Sequence, residues 1–592
     1  MIMRKKLKYL LFFVALIIAT FSCTNDLNVA PQNILQDETV FSNESAINAY
    51  LASLYNDLPI EDFNFHVYYG FNTQDGHTLP VISDEATTCY NDDRQDIGAG
   101  VSLGWWGYNS VRNANQFIEK ISGSTFPKEK INEWLGEAKF IRAYYYFGMV
   151  KRYGGVPLVT TVQNYTGNNL DELKVPRNTE KEIYDFIGTE LDESAKLLNE
   201  TSDLGRINKY VALALKSRAM LYAATEAKYG SVQLNGLVGI PSSGANVYFQ
   251  SAYDAAQLII SSGKYSLYNK SADKSANYTS LFLDDASSES IFIKQFNYPD
   301  KAHWYDLWML PRDGVGSSIG YGSRLNPTLE LIESYEYTDG SDGKLKFYDG
   351  GGNPIEYANP FEIFKNKDPR LDGTVILPFG VWKGYTMDVR AGIIDNGKTI
   401  TSGDYNTLYN GIHVIGLNGI GGGGEKSQTG FYIRKYLQPA YDKSQVRDWS
   451  SFQSFIDFRY AEILLNYAET AVELGKNSDA KMAINLIRNR AGIKELADAE
   501  VTLNRVRHER RIELALEPHR YWDIRRWHIA DQLLNNTKFS TILPYLNISN
   551  NAYIFSSKNV SYQRTFTTNM YYEMIPSSEI SKNSKLIQNP GY

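Results

Sequence analysis

The feature that most constrains the fold is a run of large side chains in and just before residues 137–159. They recur at three- and four-residue spacing, which places a wide bulky face on one side of a helix. These side chains are Leu135, Phe140, Ile141, Tyr144, Tyr145 and Phe147. Gly154 and Gly155 can take the left-handed conformation that ends a helix, and Pro157 cannot continue one. A helix this rich in aromatics is unstable alone in water, so we expect other helices to enclose it.

The amino terminus has the pattern of a targeting segment. Four cationic residues precede an apolar run at residues 10–19. Because that run is too short to span a bilayer comfortably and small or polar residues follow it, residues 1–22 are predicted to be a cleaved export signal. Cys23 directly after Ser22 predicts a bacterial lipoprotein, in which this cysteine carries the lipid. An ordinary secretory signal is the alternative.

Charge and cysteine content exclude some classes of protein. The formal net charge of −7 becomes −11 when residues 1–22, which hold four positive charges and no negative ones, are removed. An acidic exported chain is a poor partner for phosphate backbones, so we do not expect nucleic acid binding. Cys89 is the only cysteine besides Cys23, so no intramolecular disulfide is available unless Cys23 stays unmodified. The fold must then hold by packing alone.

Helical periodicity is concentrated towards both ends of the mature chain. Residues 24–40 are polar and are predicted to be a tether. We place helices at residues 45–58, 105–118, 137–153, 179–198, 206–224, 253–261, 456–474, 480–490 and 501–517. The predicted scaffold therefore occupies mainly residues 41–60, 105–229 and 456–530, and we expect residues 530–592 to be irregular.

A loop-rich part, mainly residues 61–104 and 264–455, emerges between these helices. A structureless loop of nearly 200 residues is unlike a compact domain, so we expect small hairpins, turns and short helices there. The helix pair in residues 456–490 spans about 35 residues, close to the ~34-residue unit of tetratricopeptide arrays.

Seven motifs then occur in the order of one known family. They are Glu-Ala at 137–138 with Arg-Ala-Tyr-Tyr-Tyr-Phe at 142–147, Tyr-Gly-Gly-Val-Pro-Leu-Val at 153–159, Arg-Tyr-Ala-Glu-Ile-Leu-Leu-Asn-Tyr-Ala-Glu at 459–469, Ile-Arg-Asn-Arg-Ala-Gly at 487–492, Glu-Arg-Arg-Ile-Glu-Leu-Ala at 509–515, Arg-Tyr-Trp-Asp-Ile-Arg-Arg-Trp at 520–527 and Gln-Asn-Pro-Gly-Tyr at 588–592. The chain thereby resembles the SusD/RagB family of surface glycan-binding lipoproteins. Pro518, where that family usually has Gly, departs from the pattern.

The resemblance implies a mainly α fold: four tetratricopeptide-like helix pairs packed into one body, with a large loop-rich ligand-binding part made of small hairpins. It implies that residues 23–592 form one domain, lipid-anchored to the outer membrane and facing the cell exterior. By resemblance, the helical side docks on a SusC-like TonB-dependent transporter, and an exposed arc of aromatic side chains binds oligosaccharide. Such proteins are not enzymes and need no cofactor.

Candidate binding residues follow from the chemistry of sugars. Their apolar C–H faces stack on Trp and Tyr and their hydroxyls need polar neighbours, so solvent-facing aromatics in polar loops are expected. Two stretches fit, residues 90–106 and residues 298–312, and by resemblance they stand where the family's aromatic arc does. The candidates are Tyr90, Asn91, Asp93, Arg94, Trp105, Tyr298, Trp304, Tyr305, Trp308 and Arg312. Trp382 and Tyr385 form a third candidate. For each ring, Trp105 above all, a place in the core is the alternative.

Other patterns are better explained by structure than by chemistry. The arginine-rich run at 505–528 has acidic residues interleaved, which favours ion pairs at helical spacing, such as Arg510 with Glu513, over an anionic-ligand site. Residues 316–320 and 419–424 match the letters of a nucleophile elbow and a dinucleotide loop. Neither has the flanking strand and helix those motifs need. No histidines stand at metal-ligand spacing, so no metal site is predicted.

The sequence thus predicts a non-catalytic, surface-exposed lipoprotein that captures oligosaccharides and passes them to a SusC-like transporter. Three alternatives stay open. One is an exported glycoside hydrolase, which would need two carboxylates in one cleft. Another is a structural subunit that caps the transporter without touching ligand. The third is a RagB-like uptake protein that binds peptide in place of sugar.

Overall fold

The computed structural model describes residues 40–65, 78–90, 92, 95–97, 103–313, 316, 320–420 and 425–592. The fold is mainly helical, as predicted. The predicted export signal, Cys23 and all but the last residue of the predicted tether lie outside the described residues. The helices are α1 (Glu44–Asn56), α2 (Tyr108–Ile121), α3 (Lys128–Tyr153), α4 (Glu180–Leu197), α5 (Lys209–Tyr229), α6 (Ala245–Ser262), α7 (Lys274–Leu281), α8 (Tyr305–Met309), α9 (Leu329–Ser334), α10 (Pro369–Thr374), α11 (Tyr460–Glu473), α12 (Asn477–Ala491), α13 (Leu503–Glu513), α14 (Arg520–Arg526), α15 (Ala530–Leu534) and α16 (Ser577–Lys582).

Short strands accompany the helices. They are β1 (Ala86–Thr87), β2 (Ser290–Lys294), β3 (Asn326–Pro327), β4 (Val375–Ile376), β5 (Val381–Trp382), β6 (Tyr385–Thr386), β7 (Gly392–Asp395), β8 (Lys398–Ile400), β9 (Leu408–Tyr409), β10 (Ile412–His413), β11 (Tyr432–Ile433), β12 (Phe455–Arg459), β13 (Ser540–Asn547) and β14 (Ala552–Asn559). Four of them form a sheet in the order β14-β13-β7-β8, and the others pair two by two.

The aromatic helix is α3, and it is enclosed as predicted. It ends where Gly154 adopts a φ of 72°, and α1, α2, α4 and α5 pack around it. Two of its buried hydroxyls donate to backbone carbonyls: Tyr145 to Leu54 at 2.7 Å, and Tyr146 to Val159 at 2.9 Å. A Cβ on Gly148 would lie 2.7 Å from Pro59, so only glycine permits this close approach of the preceding segment.

The scaffold helices pack in succession. Contacts run from α3 to α4, α5 and α6, then to α11 and α12, an arrangement consistent with tetratricopeptide-like pairs. Helix α4 begins with a capping box formed by Thr179 and Glu182. The two side chains stabilise the start of the helix because they satisfy backbone N–H groups that the first helical turn leaves free. No helix in the described part of the chain is long and apolar enough to cross a membrane.

Two predicted boundaries were wrong. The helical pattern from residue 456 begins with strand β12, and only then with α11. All five residues of β12 are buried, and a short apolar run of this kind fits a strand as well as a helix. Residues 540–559, predicted to be irregular, form the β13–β14 hairpin. Pro544 lies within β13 and argued against a strand there, because proline is uncommon inside sheets.

The loop-rich part consists of hairpins and short helices, as predicted. The strand pairs β5–β6, β7–β8 and β9–β10 are each antiparallel. In the β5–β6 turn, Lys383 and Gly384 both have positive φ values, 49° and 80°, which is the backbone geometry of the tight turns that suit hairpins.

A buried ion-pair network joins this part to the scaffold. Arg459, at the end of β12, lies 2.8 Å from Glu289, 2.7 Å from Glu513 and 2.7 Å from Glu517. Arg370 on α10 reaches Glu513 from the other side at 2.9 Å. All five side chains are buried. A charge removed from water is tolerated only with partners in good geometry, so the network fixes the relative positions of the segments that supply it.

The arginine-rich run contributes to this network, which corrects one pairing. The ion pairs are buried and mostly join distant segments, whereas we expected pairs along one helix. Arg510 pairs with Asp523 at 2.7 Å, not with Glu513. Arg526 does pair with Asp523 at helical spacing, at 2.9 Å.

Removing one carboxylate should test the network. We expect Glu513→Gln to lower the free energy of unfolding by roughly 3–5 kcal/mol, because three buried arginines lose a partner. Urea denaturation followed by circular dichroism measures the change. The control is Glu44→Gln, which removes an exposed pair with Lys130 and should cost at most about 1 kcal/mol. Equal effects of the two changes would contradict the assigned role.

Acid should weaken the fold below about pH 4.5, near the ordinary pKa of Glu. Burial alone would raise the pKa of Glu469, but Arg526 and Arg510 outweigh it and lower the pKa to about 2. Such a group contributes stability that is present above its unfolded pKa and lost as the pH falls through its folded pKa. We expect the urea midpoint to fall steadily from pH 4.5 to pH 3. A midpoint that does not change over this interval would rule out the assignment.

Candidate ligand-binding site

A backbone bridge brings two distant segments together. His303 donates its N–H to the Ser451 carbonyl at 2.8 Å, and Ser451 donates back to His303 at 3.0 Å. It is an isolated bridge that lies beyond the antiparallel pairing of β2 with β12. It places the segment after β2 beside the segment before β12.

A buried carboxylate fixes the same junction. The Asp306 carboxylate accepts hydrogen bonds from the Gln438 backbone N–H at 2.8 Å, the Ser451 hydroxyl at 2.7 Å and the Gln453 amide at 2.9 Å. Burial raises the pKa of Asp306, and these hydrogen bonds oppose the rise. Asp306 therefore holds residues 438–453 against helix α8.

The bridged segments carry a row of indole rings. The Trp304 ring stacks on Trp308, with centroids 5.6 Å apart, and meets Trp449 edge-on at 5.3 Å. The side chain of Trp449 is 53% exposed. Its φ is 51°, a left-handed conformation that costs a bulky residue about 1–3 kcal/mol. The structure thus holds a large aromatic ring in water at the expense of local strain.

The row continues beneath the surface towards Tyr90. Tyr321, 42% exposed, covers Trp308 with a centroid distance of 4.9 Å. The Arg324 guanidinium lies 5.0 Å from the Trp308 ring and 4.5 Å from the Tyr90 ring. Glu425 holds Arg324 at 2.9 Å. Arg324 is therefore packed between two aromatic rings, which links Tyr90 to the row.

An open cavity of about 370 Å³ is lined by residues of the same two bridged segments. Its lining consists of Tyr298, Tyr441, Ser444, Gln445, Arg447, Ser450 and Phe452. Arg447 donates to the Tyr298 hydroxyl at 3.1 Å. The volume of this cavity falls within the range of small-molecule sites. We call Tyr298, Trp304, Tyr321, Tyr441, Trp449 and Phe452 the ring cluster.

A second cavity of about 370 Å³ shares Tyr441 with the first. It is lined by Lys383, Tyr385, Pro439, Ala440, Tyr441, Asp442 and Lys443. Lys383 donates to the Tyr441 carbonyl at 2.6 Å. Of the third candidate pair, Tyr385 is exposed and lines this cavity, while Trp382 is buried.

The predicted residues of the second stretch divide into exposed and buried ones. Tyr298, at 50% exposed, and the half-buried Trp304 belong to the ring cluster. The expectation that Tyr305 and Trp308 face solvent was wrong, because both are buried. Residues 305–309 form helix α8, in which Trp308 packs beneath Trp304. The half-buried Arg312 donates its backbone N–H to Ser323 at 3.2 Å.

The first stretch contributes less. Trp105 packs on Tyr145 of α3 at 5.8 Å, and among the described residues its ring contacts lie within the scaffold, which fits the core alternative. Asn91, Asp93 and Arg94 lie outside the described residues, so their roles stay predictions.

Sequence reasoning missed residues 441–452. This run is rich in polar residues and contains Tyr441, Arg447, Trp449 and Phe452. The same signal that identified residues 298–312, aromatics among polar residues, was present there. Tyr321 was missed as well, because it is a single ring in a glycine-rich loop.

Asp306→Ala should loosen the junction selectively. We expect amides of residues 438–453 to exchange with deuterium roughly tenfold faster, because three donors lose one buried acceptor. Hydrogen exchange with mass spectrometry measures this, with the exposed Asp404→Ala as control. Unchanged exchange in residues 438–453, or equal acceleration throughout α3, would contradict the assigned role.

Comparisons with known proteins are consistent across sequence and structure. A sequence model of the SusD family matches residues 288–592. A second, described as starch-binding associating with outer membrane, matches residues 27–221. SusD-like protein P38 of Formosa agariphila is 23% identical over 533 residues, 87% of this chain and 90% of that protein.

Solved structures agree. A SusD-like protein from Bacteroides fragilis aligns with a TM-score of 0.69 and 25% identity, over 95% of this chain and all of that one. A SusD-like carbohydrate-binding protein from the same species has a TM-score of 0.68 and 24% identity, over 93% of this chain and all of that one. Since the first sequence model alone spans more than half of the chain, the protein belongs to the SusD family.

Proposed function

We propose that this protein is a cell-surface lipoprotein that captures oligosaccharides at the ring cluster. The observation that carries the proposal is the exposed Trp449, braced by Trp304 and held in a strained backbone conformation. Monomeric proteins seldom expose contiguous aromatic surface unless it binds something. The similarity to a SusD-like carbohydrate-binding protein supports sugar as the ligand.

The capture mechanism is stacking with hydrogen bonding at the edges. Sugar C–H faces lie on Trp449, Tyr298 and Phe452, and the polar side chains of the first cavity bind ring hydroxyls. Each stacked ring is worth only about 0.5–1.5 kcal/mol beyond the area it buries, so the affinity of one site is modest. Modest affinity suits a protein that must release its ligand.

Release is to a SusC-like TonB-dependent transporter, on which the helical scaffold docks. The family description, which includes association with the outer membrane, supports this location. A lipid on Cys23 provides the anchor and the polar segment after it the tether. The ring cluster then faces the cell exterior.

The protein breaks no bonds in this proposal. Glycoside hydrolysis needs two carboxyl groups flanking the scissile bond. None of the described residues that line the first cavity carries a carboxylate, and the second cavity has only Asp442. This supports binding without turnover.

Affinity electrophoresis of the mature chain in gels containing single polysaccharides tests the proposal. We expect Trp449→Ala to weaken retention roughly tenfold or more, because a central aromatic anchor is lost. Trp304→Ala should act similarly by freeing Trp449. The matched control is Tyr165→Ala, which removes an exposed ring on the segment between α3 and α4.

Three outcomes would overturn the proposal. New reducing ends after incubation with a retained polysaccharide would favour the hydrolase. No retention in any gel, with peptides bound instead, would favour the RagB-like alternative. Retention that is the same in the wild type and both tryptophan variants would place the site elsewhere.

A further inference from the structure

The two cavities beside the ring cluster carry positive charge, although the chain as a whole has a net charge of −7. Their linings include Lys383, Lys443 and Arg447 and a single carboxylate, that of Asp442. A cationic lining raises the local concentration of anionic ligands, even when the protein as a whole is acidic.

The Arg447 guanidinium is the central charge. Its one hydrogen-bond partner among the described residues is the hydroxyl of Tyr298, at 3.1 Å, and it makes no salt bridge with any of them. Asp448 follows it directly but does not line either cavity. Arg447 is therefore an exposed cation beside an aromatic ring, with most of its donors facing water. A guanidinium presents these donors in a fork that matches a carboxylate or a sulfate.

The single acidic side chain of the lining, that of Asp442, offsets only part of this positive charge. Asp442 and the buried Asp306 interact electrostatically with Lys383, but neither forms a salt bridge with it. The Asp442 carboxylate accepts hydrogen bonds from the Ser444 backbone N–H at 2.7 Å, the Ser444 hydroxyl at 2.6 Å and the Gln445 backbone N–H at 3.3 Å. It therefore stabilises its own turn. Among the described residues, Lys383 and Lys443 make no salt bridge either, although Lys383 is oriented by the Tyr441 carbonyl.

On these grounds we propose that the ligand is an acidic glycan, with carboxylate or sulfate groups that bind Arg447 and the lysines of the adjoining cavity while its rings stack on the ring cluster. This inference rests on the proposed glycan-binding function and adds the chemical class of the glycan. Uronic acids and sulfated sugars both have this chemistry. Each carries an anionic group, a planar carboxylate or a tetrahedral sulfate, on a sugar ring that can stack on an aromatic side chain.

Paired polymers in affinity gels test the charge directly. Polygalacturonate and its methyl ester share a backbone and differ in charge, and dextran sulfate and dextran do the same for sulfate. Starch, xylan and mannan complete the neutral set, and alginate and chondroitin sulfate the acidic set. We expect acidic polymers to retard the protein at concentrations at least tenfold lower than neutral ones, and retention to fall between 50 and 500 mM NaCl because screening weakens exposed ion pairs.

Charge variants separate this inference from the proposed function. Arg447→Gln should weaken binding of the retained acidic polymer roughly tenfold and make it less salt-dependent, and Arg447→Lys should restore part of the loss. Lys128→Gln, an exposed lysine at the start of α3, should change nothing. Neutral polymers bound as tightly as acidic ones, with Arg447→Gln unaffected, would overturn the inference and leave glycan binding intact. Retention by no polymer of either set would overturn both.

Discussion

The structure depends on the buried ion pair between Arg459 and Glu289, 2.8 Å apart. Glu289 directly precedes β2 and Arg459 ends β12. This pair, together with Glu513 at the end of α13 and Glu517 beyond it, therefore clamps the two antiparallel strands to the scaffold. The same strands lead into the two segments that carry the ring cluster apart from Tyr321, and the His303–Ser451 bridge joins these segments. A buried charge pair tolerates little displacement, because each partner would be left uncompensated. The position of the site therefore follows from the network.

Much of the scaffold could be predicted from sequence, because the signals that define its helices lie within short stretches of the chain. The period of α3, its glycine stop and the cap of α4 each act within a few residues. The ring cluster could be predicted only in part. Trp304 and Trp308 have the same side chain and lie in the same stretch. Trp304 is half-buried and Trp308 is buried because helix α8 turns the second ring beneath the first. Trp449 joins them through a bridge between residues about 150 positions apart, which no local pattern reveals.

The exposed, strained Trp449 ring needs a rigid support if it is to bind sugar. Stacking on a sugar is weak per ring, so a ring that must be ordered on binding would lose much of its gain to conformational entropy. Trp449 is already ordered by Trp304, and Asp306 fixes the segment that bears it. Positive charge beside these rings adds selectivity that stacking lacks, because every sugar has an apolar face but few carry an anion.

The central claim is that ligand contacts the ring cluster, and ¹⁹F NMR of protein labelled with fluorotryptophan tests it most directly. Each of the nine tryptophans gives one signal, assigned by single Trp→Phe changes. On addition of a retained polysaccharide fragment, the account predicts that the Trp449 signal shifts most and Trp304 next, while the buried Trp522 and Trp134 stay unchanged. A shift centred on Trp105 or Trp106, with Trp449 unmoved, would contradict it.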